Sequence, residues 1–229
     1  MYGYWGDYTL LLLLPGLLLG LIARMAVSAQ TKKYAKVASR RGWTGRQLAE
    51  RALADHGLSV RVKQVSGRLT DHYDPRDESL GLSQTVYDAS SITALGIAAH
   101  EVGHALQYRD GYFPVKIRAA LVPVANFGSY AAYPILLLGL FLNRGWLLDI
   151  GIALYGIAAL FYLVTLPVEL NASRRGMELL ESGEYLERDE LPGARKVLTA
   201  AAWTYVAALV SAALQLLRLV LLFGRRRRD

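Results

Sequence analysis

The chain has 229 residues, of which 53% are apolar and 20% charged, and it carries a formal net charge of +7. So large an apolar share beside so many charges excludes an evenly mixed soluble surface; it implies apolar and polar residues sorted into blocks, part membrane and part soluble. The absence of cysteine excludes disulfides and thiolate metal sites, and permits a reducing compartment.

Four charge-free stretches lie between Asp7 and Arg24, Arg118 and Arg144, Asp149 and Glu169, and Lys196 and Arg218. Each is about long enough to cross a hydrocarbon core of ~30 Å. The expected fold class is therefore a mainly α integral membrane protein with about four transmembrane helices and a small α+β insertion. The first span, Tyr8 to Ala23, is the shortest, and Met25 to Thr31 extend it if Arg24 snorkels. It resembles a signal peptide, with Val27-Ser28-Ala29 as a cleavage site. No basic residue precedes it, however, and Lys32, Lys33, Lys36, Arg40 and Arg41 follow, so a retained anchor over residues 1–28 is expected.

Residues 29–115 read as a soluble region. Thr44 caps a short amphipathic helix through Ala54, with Gly57 as its stop and His56 as a helix-end residue. Val60, Val62 and Val65, and then Leu80, Leu82 and Val86, predict two short strands joined by the turn-forming link Asp71 to Asp77. A helix capped by Ser91 runs to about Tyr108. Residues 116–167 form a transmembrane hairpin turning at Leu142-Asn143-Arg144-Gly145. Pro167 suits a helix start, so residues 168–200 read as a helix and connector and 201–229 as the last span with its basic tail, Arg225 to Arg228.

The two basic clusters, after the first span and at the tail, suit anionic lipid headgroups. No nucleic-acid recognition motif accompanies them, so no nucleic-acid partner is expected.

The chemistry-bearing motif is His100-Glu101-Val102-Gly103-His104. Its histidines stand four residues apart, one helical turn, so both imidazoles can face one ion. Glu101 points about 100° away from His100, which suits a base serving a bound water more than a third ligand. The expected cofactor is one Zn2+ per chain, lowering the pKa of a water from which Glu101 takes a proton before passing it to the leaving amine. The bland alternative, two surface histidines beside a salt-bridging glutamate, needs exposure in a segment otherwise made of Ala, Gly, Ile and Leu. A catalytic zinc needs a third protein ligand, and no histidine follows at metzincin spacing. Glu169 is the candidate, just past the third span on the motif's side of the membrane. On position alone it is equally a first-turn carboxylate favoured by a helix dipole.

The chain resembles the YugP-like family of membrane zinc metallopeptidases, itself similar to the HtpX and CAAX prenyl-protease group of membrane zincins. The likeness rests on Leu69 to Pro75, on Leu82 to Tyr87 leading into Ala98 to Gln107, and on Pro167 to Arg175. It implies a zincin-like insertion with Glu169 as third zinc ligand. It also implies that the strand from Leu80 to Ser83 borders a cleft where an extended peptide adds as a strand. In the HtpX-like group an aspartate follows the ligand glutamate by four residues; here Ser173 stands there, so Ser173 or Asn171 would support the ligands. His72, Tyr73, Arg174 and Arg175 are candidate donors to a tetrahedral oxyanion. As ordinary alternatives, His72 is a turn residue and the arginines contact headgroups or carboxylates.

The basic flank of the first span, with Arg109, Lys116 and Arg118 before the second, places this region on the cytoplasmic face of the cell membrane. Four full crossings would then put the arginine tail outside, against the same rule, so either the last helix, with Gln215 and Arg218, crosses incompletely or the tail is an exception. The leading expectation is an endopeptidase acting on protein or peptide substrates in or near the bilayer. A non-catalytic zinc-holding scaffold is the alternative, and a transporter would need ionisable residues along a path that these spans barely offer. Small residues such as Gly128, Ser129, Ala131 and Ala132 permit close helix packing, leaving a homo-oligomer open.

Overall fold

The computed structural model describes residues 8–223 of the chain. The tail Arg225 to Arg228 lies outside the described residues. The protein is mainly helical, with one three-stranded sheet.

A 3₁₀ segment, Tyr8–Leu13, runs into α1 (Leu14–Tyr34). The helix α2 (Gly45–Asp55) begins as expected. The Thr44 hydroxyl accepts from the Gln47 amide at 3.2 Å and the Gln47 side chain accepts from the Thr44 amide at 3.0 Å, a reciprocal cap on two otherwise orphaned donors. It ends where Gly57 takes φ +69°, a conformation that glycine adopts at little cost, and His56 turns its Nδ1 onto the Ala52 carbonyl at 2.8 Å.

Three strands follow, β1 (Arg61–Val65), β2 (His72–Asp74) and β3 (Ser79–Ser83), in the order β1-β3-β2, with β3 parallel to β1 and antiparallel to β2. Two expectations need correction. The link between the predicted strands contains β2, and the second strand stops at Ser83, where the short helix α3 (Gln84–Tyr87) takes Val86 into the core. The Leu82-to-Val86 interval of four residues suits a strand's alternation and a helical turn alike, and the chain takes the helical turn from Gln84.

The helix α4 (Ile92–Arg109) is capped by the Ser91 hydroxyl on the Ala94 amide at 3.2 Å. Then come α5 (Phe113–Phe141), a turn with Asn143 at φ +51°, α6 (Gly145–Ser182) and α7 (Leu191–Phe223). Pro167 does not start a helix; it sits inside α6. A proline interrupts one backbone hydrogen bond there, but in an apolar segment without water to satisfy freed carbonyls, continuing the helix costs less than leaving it. The four helical stretches Tyr8–Tyr34, Phe113–Phe141, Gly145–Ser182 and Leu191–Phe223 are long and apolar enough to cross a membrane.

The chain divides into two compact units. One comprises Arg24–Val115 and Pro167–Trp203, the other Met1–Ala23, Lys116–Leu166 and Thr204–Asp229. The first has a continuous core in which Leu48, Leu80, Leu82, Leu95, Val102 and Leu180 are fully buried. Each such side chain contributes about 1.5–3 kcal/mol relative to exposure. In this unit α4 and α6 meet almost backbone to backbone: a Cβ on Gly103 would stand 2.4 Å from the Ala172 carbonyl oxygen, and one on Gly176 would stand 3.0 Å from the Ala99 backbone. In the other unit Gly128 is used within the chain, facing the Leu154 carbonyl oxygen at 2.8 Å from a built Cβ, and Ala132 is buried.

Candidate metal centre

The close approach of α4 and α6 decides what can meet between them. His100 and His104 lie one turn apart on α4, their ring centroids 4.8 Å apart and nearly perpendicular. From α6, Glu169 Oε2 comes to 3.3 Å from His100 Nε2 and 3.5 Å from His104 Nε2. The donor atoms of these three residues all lie within 4.8 Å of one another. Zinc with bonds of about 2.0–2.1 Å in a tetrahedral site separates its ligand atoms by roughly 3.3–3.4 Å. The two carboxylate–imidazole spacings match that figure, and two imidazole nitrogens with a carboxylate oxygen are a donor set that suits zinc.

The far side of each ring is also held. His104 Nδ1 donates to the Gln107 side-chain carbonyl at 3.0 Å, and His100 Nδ1 stands 3.1 Å from the Ser173 hydroxyl. With the proton on Nδ1, each Nε2 presents its lone pair towards Glu169. Ser173 thus occupies the supporting place that the sequence left between it and Asn171. Asn171 instead accepts from Gln107 Nε2 at 2.9 Å and from Arg175 Nε at 3.0 Å.

Glu101 is buried beside the pair. Removal from water pushes its carboxyl up to about 7, with Glu169 and Asp71 adding to the rise and His100 and His72 opposing it.

The other sequence candidates fare unequally. His72 sits exposed on the edge strand β2 and within electrostatic reach of Glu101; its Nδ1 donates to the Thr70 carbonyl at 2.8 Å and its ring covers Gly81. Its neighbour Asp71 accepts from the Ser83 amide and hydroxyl at 2.7 and 3.1 Å, pinning the end of β3. Tyr73 points the other way, half-buried against the Tyr108 ring with centroids 5.5 Å apart, and the burial raises its hydroxyl pKa. Arg174 is exposed, 3.8 Å from Glu178, on a cleft of about 380 Å³ that Ser173, Met177 and Arg195 also line. Arg175 pairs with Asp110, whose carboxyl is held down at about 2 by Arg109 and Arg175.

Strand addition on β3 is ruled out by the sheet. All five of its residues pair with β1, three pair with β2 on the opposite side, and Asp71 occupies the remaining Ser83 amide.

The residue that sequence reasoning missed is Gln107, fully buried, with Nε2 donating to the Val168 carbonyl at 2.7 Å as well as to Asn171. Its signal was available: it stands three residues after His104, on the same face of an otherwise apolar helix turn.

A family model described as "putative neutral zinc metallopeptidase" matches residues 9–224, and the chain belongs to that family. Zinc is the metal of the family, and His100, His104 and Glu169 are a group that can hold it. At the level of single proteins, the chain is 43% identical over 202 residues to "Putative membrane protease YugP" of Bacillus subtilis (strain 168), covering 88% of this chain and 90% of that protein. With its four long apolar helices, the chain is accordingly assigned as a multi-pass membrane protein of a protease family. No solved structure matches the chain.

Proposed function

We propose that this chain is a membrane-embedded zinc endopeptidase that hydrolyses peptide bonds of membrane or membrane-proximal proteins. His100, His104 and Glu169 are the zinc ligands in this reading, a gluzincin-like set on a zincin-like insertion, and Glu101 is the general base. The observation that carries it is the pair of ligand spacings, 3.3 and 3.5 Å, which bring a carboxylate 65 positions beyond His104 to both imidazoles.

Zinc held by these three residues would supply Lewis acidity towards a peptide carbonyl and a water. Glu101 is the group that would take a proton from the attacking water and hand it to the leaving amine nitrogen. A carboxyl near neutrality can both accept and release a proton at modest cost, which suits the double duty. His72 is the better placed of the oxyanion candidates. Its Nδ1–H is committed to Thr70, so it donates from Nε2 only as the imidazolium. Tyr73 and Arg174 are weaker candidates, one turned to Tyr108 and the other beside Glu178. The excess of basic residues in Lys32 to Arg41 and Arg109 to Arg118 favours a cytoplasmic catalytic face.

The test is Glu101→Gln. Zinc content should stay at about one per chain, one three-ligand site, while proteolysis of a membrane-protein substrate falls by a factor on the order of 10²–10⁴. Undiminished biological function in that variant, with zinc retained, would favour a non-catalytic scaffold.

A further inference from the structure

Gln107 is the one fully buried amide side chain among the described residues of α4, and both ends of it are occupied. Its carbonyl oxygen accepts from His104 Nδ1 at 3.0 Å. Its amino group donates to the Val168 carbonyl at 2.7 Å and to Asn171 Oδ1 at 2.9 Å, one residue before and two residues after Glu169. Val168 itself is fully buried, so its carbonyl has little access to water.

We infer that Gln107 is a positioning residue that sets the metal centre through two contacts at once: its carbonyl fixes the His104 tautomer, and its amino group fixes the height of Glu169 on α6 relative to that ring. The inference rests on reading His104 and Glu169 as ligands. A carboxylate in place of the amide could orient His104, but it could not donate to Val168; a hydrocarbon could do neither. The amide is the neutral group of this size that accepts at one end and donates twice at the other.

Asn171 extends the arrangement. It receives Gln107 on Oδ1 and Arg175 on the same atom, and Arg175 in turn pairs with Asp110, the residue that ends α4. The spacing of α4 and α6 is thereby tied at two levels, one buried and neutral, one at the surface and charged. Only the buried level touches a ligand.

The experiment uses the full chain in detergent micelles and zinc itself as the probe, with affinity read by competition against a chromophoric chelator. Gln107→Met, similar in size and without the polar ends, should bind zinc about 10–100-fold more weakly, the usual effect of removing the partner of a ligating histidine. Its cobalt(II)-loaded form should show shifted visible absorption bands. Leu95→Ala opens the core of the same helix away from these contacts and controls for general loosening; its zinc affinity and cobalt spectrum should match the parent protein. The unaltered protein gives a second measurement that no folding failure can spoil. With only four histidines in the chain, ¹⁵N-histidine NMR of the zinc-loaded form should find His104 protonated at Nδ1, with that proton protected from exchange. Wild-type zinc affinity and cobalt bands in Gln107→Met, or a proton on His104 Nε2, overturn the inference. Undiminished zinc binding in His104→Ala overturns the ligand reading beneath it, which distinguishes the two failures.

Discussion

The unit formed by Arg24–Val115 and Pro167–Trp203 sorts its residues as a water-soluble domain does. The unit formed by Met1–Ala23, Lys116–Leu166 and Thr204–Asp229 does the reverse. In the first, leucines from α2, β3, α4 and α6 share one core. In the second, Phe127, Tyr130, Leu137 and Phe141 are exposed and the buried cluster shrinks to Leu136, Leu148 and Leu219 with a few partners. Both units use glycine for close helix contact, Gly103 and Gly176 in one, Gly16 and Gly128 in the other. The first unit also carries the candidate metal site. The polar contacts in the first unit, from Thr44 to Gln107, form chains in which donors and acceptors alternate, and the metal centre is one such chain. Tight packing is therefore common to both halves, and in the first it brings together the residues of the candidate metal site.

The sharpest way to break that contrast is to remove a proposed ligand. His100→Ala or His104→Ala should abolish zinc binding, and Glu169→Ala should weaken it severely, as measured by metal analysis after dialysis. Zinc retained by all three would leave the first unit without its centre.

Next in size come the glycines. Gly103→Ala puts a methyl 2.4 Å from the Ala172 carbonyl oxygen, against ordinary contacts of ~3.5 Å, so α6 must retreat or the fold must yield. Both zinc affinity and thermal stability should fall, by about 1–3 kcal/mol for the overpacking alone. Gly176→Ala, at 3.0 Å, should show the same pattern more weakly.

A pair of truncations compares the two cores directly. Leu180→Ala, fully buried, should cost about 2–5 kcal/mol of stability to denaturant in detergent. Phe141→Ala, 87% exposed, should cost within about 0.5 kcal/mol. Similar costs for both would erase the distinction drawn here.

The smallest effect concerns protons. In the metal-free protein, burial holds the Glu101 carboxyl at about 7 against a reference of 4.5. The folded chain then keeps a proton that the unfolded chain releases, so this contribution is complete below about pH 4.5 and is lost as pH rises through 7. Denaturation curves should show wild type losing stability relative to Glu101→Gln across that window and running parallel to it above. A constant difference over the whole range would mean that the carboxyl is not raised.

Much of this molecule is legible wherever a local rule decides. Thr44 and Ser91 cap because their hydroxyls meet free amides, Asn143 turns because a left-handed residue is needed between α5 and α6, and the long apolar runs are helical because nothing else satisfies their backbones. The histidine pair is legible because four-residue spacing is a helical property. Legibility fails where tertiary context decides. Three residues cannot announce a strand, and β2 exists because β3 is there to pair with it. Pro167 reads as a boundary by its own preference and is overruled by its surroundings. Gln107 looks like a surface polar residue until the partner helix brings Val168 and Asn171 to it, whereas the contact of Arg175 with a carboxylate is among its sequence alternatives and only the partner, Asp110, is not.

With both rims of β3 occupied, an unfolded stretch of substrate finds no seat along the middle of the sheet. The remaining margin near the centre belongs to β2 and is three residues long. A margin so short can register only a few peptide units, so under the proposed peptidase reading a lengthy consensus would have no place to be read, and nearness of a loose segment to the bilayer would decide instead.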